Sequence, residues 1–133
     1  MDKEIFVDAN IFLEILLKDS KSEECKGFLR STNDKGLITS DFIVYSCLIN
    51  IENNLKNKAD LKAAIIFFNN IQNLKILRPS FDELYAAVEI MENSNLDFDD
   101  GLVVACMRNY GIKKLASLDR HFDRIKGMEK VKI

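Results

Sequence analysis

The sequence predicts an α/β protein, a three-layer α/β/α sandwich whose central parallel sheet holds about four or five strands. Two observations predict it. Short runs of apolar and β-branched residues recur along the chain, and longer segments with apolar residues on one helical face alternate with them. That alternation fits parallel strands, because neighbours running the same way need a crossover connection between them. The chain also has one Pro and five Gly in 133 residues, which leaves little room for a flexible linker. Residues 1–133 therefore read as a single domain around one core.

Residues 4–8, EIFVD, are the first predicted strand. Ile11, Phe12, Ile15 and Leu16 follow at helical spacing. Ser20 or Ser22 is placed to cap a second helix with Glu23 and Glu24 in its first turn and Cys25, Phe28 and Leu29 inside. Gly36 opens a short strand, GLITS, and Ser40 is placed to cap the next helix. Phe42, Ile43, Tyr45, Leu48 and Ile49 make that helix apolar on most sides, which predicts a path through the core. Asp60 is read as the cap of a segment carrying Leu61, Ala64, Ile65, Phe68 and Ile71. Lys75-Ile76-Leu77 reads as a strand, ended by Pro79. Ser80 and Glu83 match a capping box, with Leu84, Ala87, Val88 and Met91 on the inner face of the helix it starts. Asp97 is placed to cap a last helix through Leu102, Val103, Ala105, Cys106 and Met107, with Gly111 as its stop. KKLAS, residues 113–117, and EKVKI, residues 129–133, complete the predicted strands, the second at an edge.

Composition excludes several classes. The apolar stretches are too short for a membrane span, and MDKEIFVDAN lacks the cationic start and long apolar stretch of a signal peptide. Cys25, Cys47 and Cys106 are far apart and odd in number, so reduced thiols in a cytoplasmic protein are expected, each a small buried hydrophobe. His121, the sole histidine, has no partners for a zinc site and reads as a helix-start or surface residue. A net charge of −2 does not suggest a nucleic-acid coat protein. Clustered acids holding cations would change that balance locally.

In open parallel sheets, ligands bind beyond the carboxyl ends of the strands. Asp8 ends the first predicted strand, and Asp119, with Ser117 before it, lies just past the strand at 113–117. Asp97 and Asp100 open the helix preceding that strand and share a face at i, i+3, whereas Asp99 points elsewhere and ranks lower. Taken singly, each acid is more often a turn or cap residue. Together, without counter-charge, they would repel each other, and a hard divalent cation such as Mg²⁺ would relieve that conflict. Asn10 offers a neutral amide to orient Asp8, water or a ligand. This donor set suits phosphodiester hydrolysis.

FVDANIFLE, residues 6–14, and LDFDDGLVVACMRNYGIKKLASLDRHFDRI, residues 96–125, resemble the opening and closing motifs of PIN domains. VapC-type toxins are bacterial and archaeal members of that family. The likeness follows element order over nearly the whole chain and is sharp in those two stretches. It implies the α/β/α fold and a Mg²⁺- or Mn²⁺-dependent ribonuclease, with RNA as substrate, an antitoxin as partner and a homodimer as assembly. Asp8, Asp100 and Asp119 match the first, third and fourth family acids; Asn10, Asp97 and Ser117 match accompanying polar positions. One position departs: where RNA-cutting members carry Glu, this chain has Ser46. That leaves open a PIN-like RNA- or protein-binding module with little or no turnover. A phosphatase of another α/β family is the weaker reading, since Asn10 stands where its second Asp would be. Lys113, Lys114, Arg120, Arg124 and Lys126 could position a phosphate backbone near the site, whereas for any one of them solvated surface charge is the commoner role.

Overall fold

The computed structural model describes residues 3–133. One parallel sheet contains β1 (Glu4–Val7), β2 (Gly36–Ser40), β3 (Leu74–Leu77), β4 (Lys114–Ala116) and β5 (Glu129–Lys130). The strands lie in the order β3-β2-β1-β4-β5. β1 takes the centre because Ile5, Phe6 and Val7 are apolar without alternation and can be covered on both faces. Phe6 stands opposite Ile38 on one side and Leu115 on the other.

The helices are α1 (Ala9–Leu16), α2 (Ser22–Ser31), α3 (Asp41–Leu55), α4 (Lys58–Asn69), α5 (Phe81–Ser94) and α6 (Phe98–Tyr110). The crossovers from β1 to β2 to β3 advance in one direction, so right-handed connections put α1 to α4 on one face. The connection from β3 to β4 runs back past β1 and puts α5 and α6 on the other. Helix contacts follow that division, with α1 touching α2 and α3, α3 touching α4, and α5 paired with α6. The result is the α/β/α sandwich, reversing direction between β1 and β4. Among the described residues, no helix is long and apolar enough to cross a membrane.

On the first face, Phe12 meets Phe68 edge-on with ring centroids 4.9 Å apart, and Phe67 packs against both at 6.3 and 5.5 Å. Such edge-to-face contacts add to the burial each ring already provides. On the second face, every residue from Asp100 to Met107 is buried. This is the helix that runs through the core. The expectation for α3 is therefore corrected: α3 buries only Ile43, Cys47 and Ile51 and leaves Tyr45 and Ile49 more than half exposed. Its apolar residues exceed what a single buried stripe can use. Gly101 lets α6 approach α5, since a Cβ there would lie 2.8 Å from the Ala87 carbonyl oxygen.

Several local expectations change. The N-cap of α2 is Lys21, whose N–H is taken by Glu14 Oε1 at 2.7 Å, so neither Ser20 nor Ser22 caps it. Asn57 caps α4 by accepting from the Ala59 N–H, and Asp60 sits in the first turn instead. The Ser80–Glu83 capping box is present on α5, but Ile90 is buried where Val88 is exposed. β5 is shorter than predicted, although Val131 N–H still reaches the Leu115 carbonyl at 2.9 Å. Cys25, Cys47 and Cys106 are buried free thiols.

Candidate metal centre

The carboxyl ends of β1 and β4 are stitched together by side chains. Asp8 follows β1 and caps α1, its Oδ1 accepting the Ala9 N–H at 2.8 Å. Its Oδ2 accepts the Ser117 hydroxyl at 2.8 Å and the Asn10 amide at 3.3 Å. Ser117 Oγ in turn accepts from Asn10 Nδ2 at 3.2 Å and from the Asp119 N–H at 3.0 Å. Its single proton and two lone pairs are thereby all used. Asn10 Oδ1 completes the net by accepting the Leu118 N–H at 3.1 Å.

Beyond β4 the chain makes a 3₁₀ turn, Arg120–Arg124, capped by Asp119, whose Oδ1 accepts the His121 N–H at 2.8 Å. Buried Phe122 anchors this turn in the core. Lys130 on β5 steadies it by donating to the Asp119 carbonyl at 3.0 Å and pairing with Asp123 at 3.1 Å. From the opposite side, the first turn of α6 delivers Asp100, which is buried. Asp100, Asp119 and His121 each offer an atom within 4.8 Å of the other two.

Electrostatics mark the same place. Burial pushes the Asp8 carboxyl up; the Ser117 and Ala9 hydrogen bonds oppose this, and the charges of Asp119 and Asp99 add to it. Asp100 is pushed up to about 6, first by burial, then by the charges of Asp99, Asp8 and Asp119, with His121 pulling the other way. No Lys or Arg pairs with Asp8, Asp100 or Asp119 side chains among the described residues. A largely buried group of carboxylates that repel one another, with lone pairs still open, fits a hard divalent cation.

The geometry unites Asp8, Asn10, Ser117, Asp100 and Asp119, and treats other residues differently from expectation. Asp97 occupies the N-cap position of α6, exposed and without a side-chain cap bond. Asp99, ranked below it, accepts the Asp100 N–H at 3.0 Å and acts on both Asp8 and Asp100. Helical spacing alone could not show that the first turn of α6 faces the strand ends through residues 99 and 100. Ser46 is exposed on α3 and brings no carboxylate. Lys113 and Lys114 line a cavity with Glu4 and Glu129, at the amino ends of the strands, so they stand at the opposite edge from the acids. Arg124 lines a cavity at the C-terminal end of α5, Lys126 is exposed beyond the turn, and only Arg120 adjoins a site acid in sequence. His121 is the exposed helix-start residue expected, and the Asp-x-His spacing at the start of the tight turn also folds its ring back toward Asp119 and Asp100.

Residues 5–128 match the PIN domain family. Ribonuclease VapC6 of Methanocaldococcus jannaschii is 24% identical, with 96% of each chain covered. VapC20 of Mycobacterium tuberculosis, described as a sarcin-ricin-loop-cleaving toxin, matches with a TM-score of 0.78 and 18% identity over 92% of this chain and 95% of that one. VapBC2 from Rickettsia felis, solved with a promoter DNA fragment, gives a TM-score of 0.75 and 15% identity over 96% and 97%. The structures share the fold. The family match spans both strand ends that carry Asp8 and Asp119 and the helix that carries Asp100, and by it this chain belongs to the PIN-domain family.

Proposed function

We propose that this protein is a Mg²⁺- or Mn²⁺-dependent endoribonuclease of the VapC type. The observation that carries the reading is the group Asp8, Asp100 and Asp119, the first two buried and the third partly so, gathered where the strand order reverses and lacking a Lys or Arg partner among the described residues. Asp8, Asp100 and Asp119 would hold the ion. Asn10 and Ser117 orient Asp8 by hydrogen bonding, and Asp97, exposed at the start of α6, would act on water or outer ligands. When bound, a divalent ion supplies activation of water and neutralisation of charge developing on phosphate oxygens. Ribonuclease VapC6, by its name, supports RNA as the substrate.

Solved relatives described as a toxin–antitoxin complex from Klebsiella pneumoniae and as VapBC2 support an antitoxin partner. Exposed Tyr45 and Ile49 on α3, with Ile65 and Ile66 on α4, support a homodimer through one of these faces. The buried free thiols suit a reducing, cytoplasmic setting.

The test incubates labelled single-stranded and structured RNAs with Mn²⁺, Mg²⁺ or chelator, beside Asp8→Asn and Asp100→Asn proteins. Metal-dependent cutting that both variants lose is expected. A folded wild type that binds metal without cutting would instead favour a binding module, the reading motivated by exposed Ser46 on α3.

A further inference from the structure

We infer that His121 is itself a ligand to the ion, so that the centre is a mixed nitrogen–oxygen site built from Asp100, Asp119 and His121, with Asp8 beside them. This rests on the metal-dependent reading above and extends its donor set.

His121 Nδ1 lies 3.1 Å from Asp119 Oδ1 and 3.4 Å from Asp100 Oδ2. For an ion with metal–ligand bonds of about 2.1 Å, adjacent ligand atoms in an octahedral site stand about 3.0 Å apart and opposite ones about 4.2 Å. The imidazole nitrogen therefore already stands at the separation of a neighbouring ligand from two carboxylate oxygens on different elements. One of those oxygens comes from the first turn of α6 and the other from the loop after β4.

Nor does the ring arrive there on a free loop. The His121 N–H is held by Asp119 Oδ1, and Phe122 next to it is buried. The Asp119 carbonyl is tied down by Lys130. The His121 side chain is 64% exposed, so a metal-binding role takes nothing from the core. Without an ion the ring nitrogen is a polar partner of the two acids, and with one it is already in place as a ligand.

A nitrogen donor has a chemical consequence. Imidazole suits first-row transition ions, whereas Mg²⁺ favours oxygen ligands and retained water. The site should therefore prefer Mn²⁺ to Mg²⁺, and His121 should be the source of the preference.

Pulsed electron paramagnetic resonance on Mn²⁺-loaded, tag-free protein tests this directly, because His121 is the sole histidine in the chain. Nitrogen modulation from a directly bound imidazole is expected in wild type and absent in His121→Ala and His121→Gln. Titration calorimetry should show Mn²⁺ affinity falling about 10-fold or more in both variants, with Mg²⁺ affinity much less changed. Bound Mn²⁺ without nitrogen modulation in wild type would overturn the inference and leave the carboxylate site standing. Failure of folded wild type to bind Mn²⁺ at all, checked by circular dichroism, would overturn the metal-dependent reading with it.

Discussion

Helix α1 serves two neighbourhoods of opposite character. At its start, Asp8 and Asn10 face other acids and polar groups, and Asp8 is held against a burial that disfavours its charge. Further along, Ile11, Phe12 and Ile15 enter the apolar layer, where Phe12 meets Phe67 and Phe68. In the second neighbourhood every contact favours folding. In the first, charges of one sign are brought together by the fold, and without an ion they oppose it. The apolar layer and the candidate site are thus separated along a single helix, and substitutions in the two neighbourhoods should have opposite signatures.

Asp100→Asn should separate them most strongly. Metal-dependent cutting is expected to fall by more than about 100-fold, beyond what losing an outer-sphere partner costs. The metal-free melting temperature should hold or rise, because a buried repelling charge is removed. A large drop in metal-free melting temperature would break the contrast. Phe12→Ala is the converse: roughly 3–5 kcal/mol of stability lost in denaturant unfolding, from the vacated ring volume. Cutting per folded molecule should persist, and its disappearance in a protein still folded by circular dichroism would show that the apolar layer positions the acids after all.

Gly101→Ala tests a place where the two characters meet. The added methyl would press on the Ala87 carbonyl while its neighbour Asp100 belongs to the site. A loss of about 1–3 kcal/mol is expected for an overpacked contact, together with weaker Mn²⁺ binding by calorimetry. Stability lost without any change in binding would show that α6 absorbs the methyl away from Asp100.

The smallest effect is in pH. Asp100 in the metal-free fold is pushed up to about 6, from an ordinary 3.8, so the folded state holds its proton at pH values where the unfolded state has lost it. Stability from this group is full below about 4 and is lost as pH rises through about 6. Asp8, also raised, acts in the same direction. Metal-free melting temperature should therefore fall between about pH 4 and 7, and added Mn²⁺ should oppose the fall most at the higher end. A metal-free melting temperature that instead rises across this range would contradict the raised carboxyls.

Much of this was legible beforehand because strand ends and caps are local. The strand EIFV, the Ser80–Glu83 box and the Gly111 stop each follow from a few neighbouring residues, and the strand-end rule brought Asp8 and Asp119 together. What was not legible depends on which side of an element meets its neighbour. Apolar content alone could not choose between α3 and α6 as the buried helix; the close approach at Gly101 decides it. The same blindness leaves open which first-turn acids of α6 face the strand ends, which edge of the sheet Lys113 and Lys114 occupy, and that two acids lie beside His121. An isolated histidine has no sequence partner, only a spatial one.

The bond from Ser117 to Asp8 joins residues 109 positions apart, and its consequence lies in the order of assembly. Pairing of β1 with β2 closes a much shorter loop than pairing of β1 with β4. Loop-closure entropy places the longer pairing later in folding. A chain folded only through β3 would hold Asp8 in place with Asp100 and Asp119 still far from it. Assembly of the site and assembly of its repulsion thus coincide, in the closing step of folding rather than the opening one. By the same logic, transient opening of β4 and β5 would carry Asp119 away from Asp8 and Asp100.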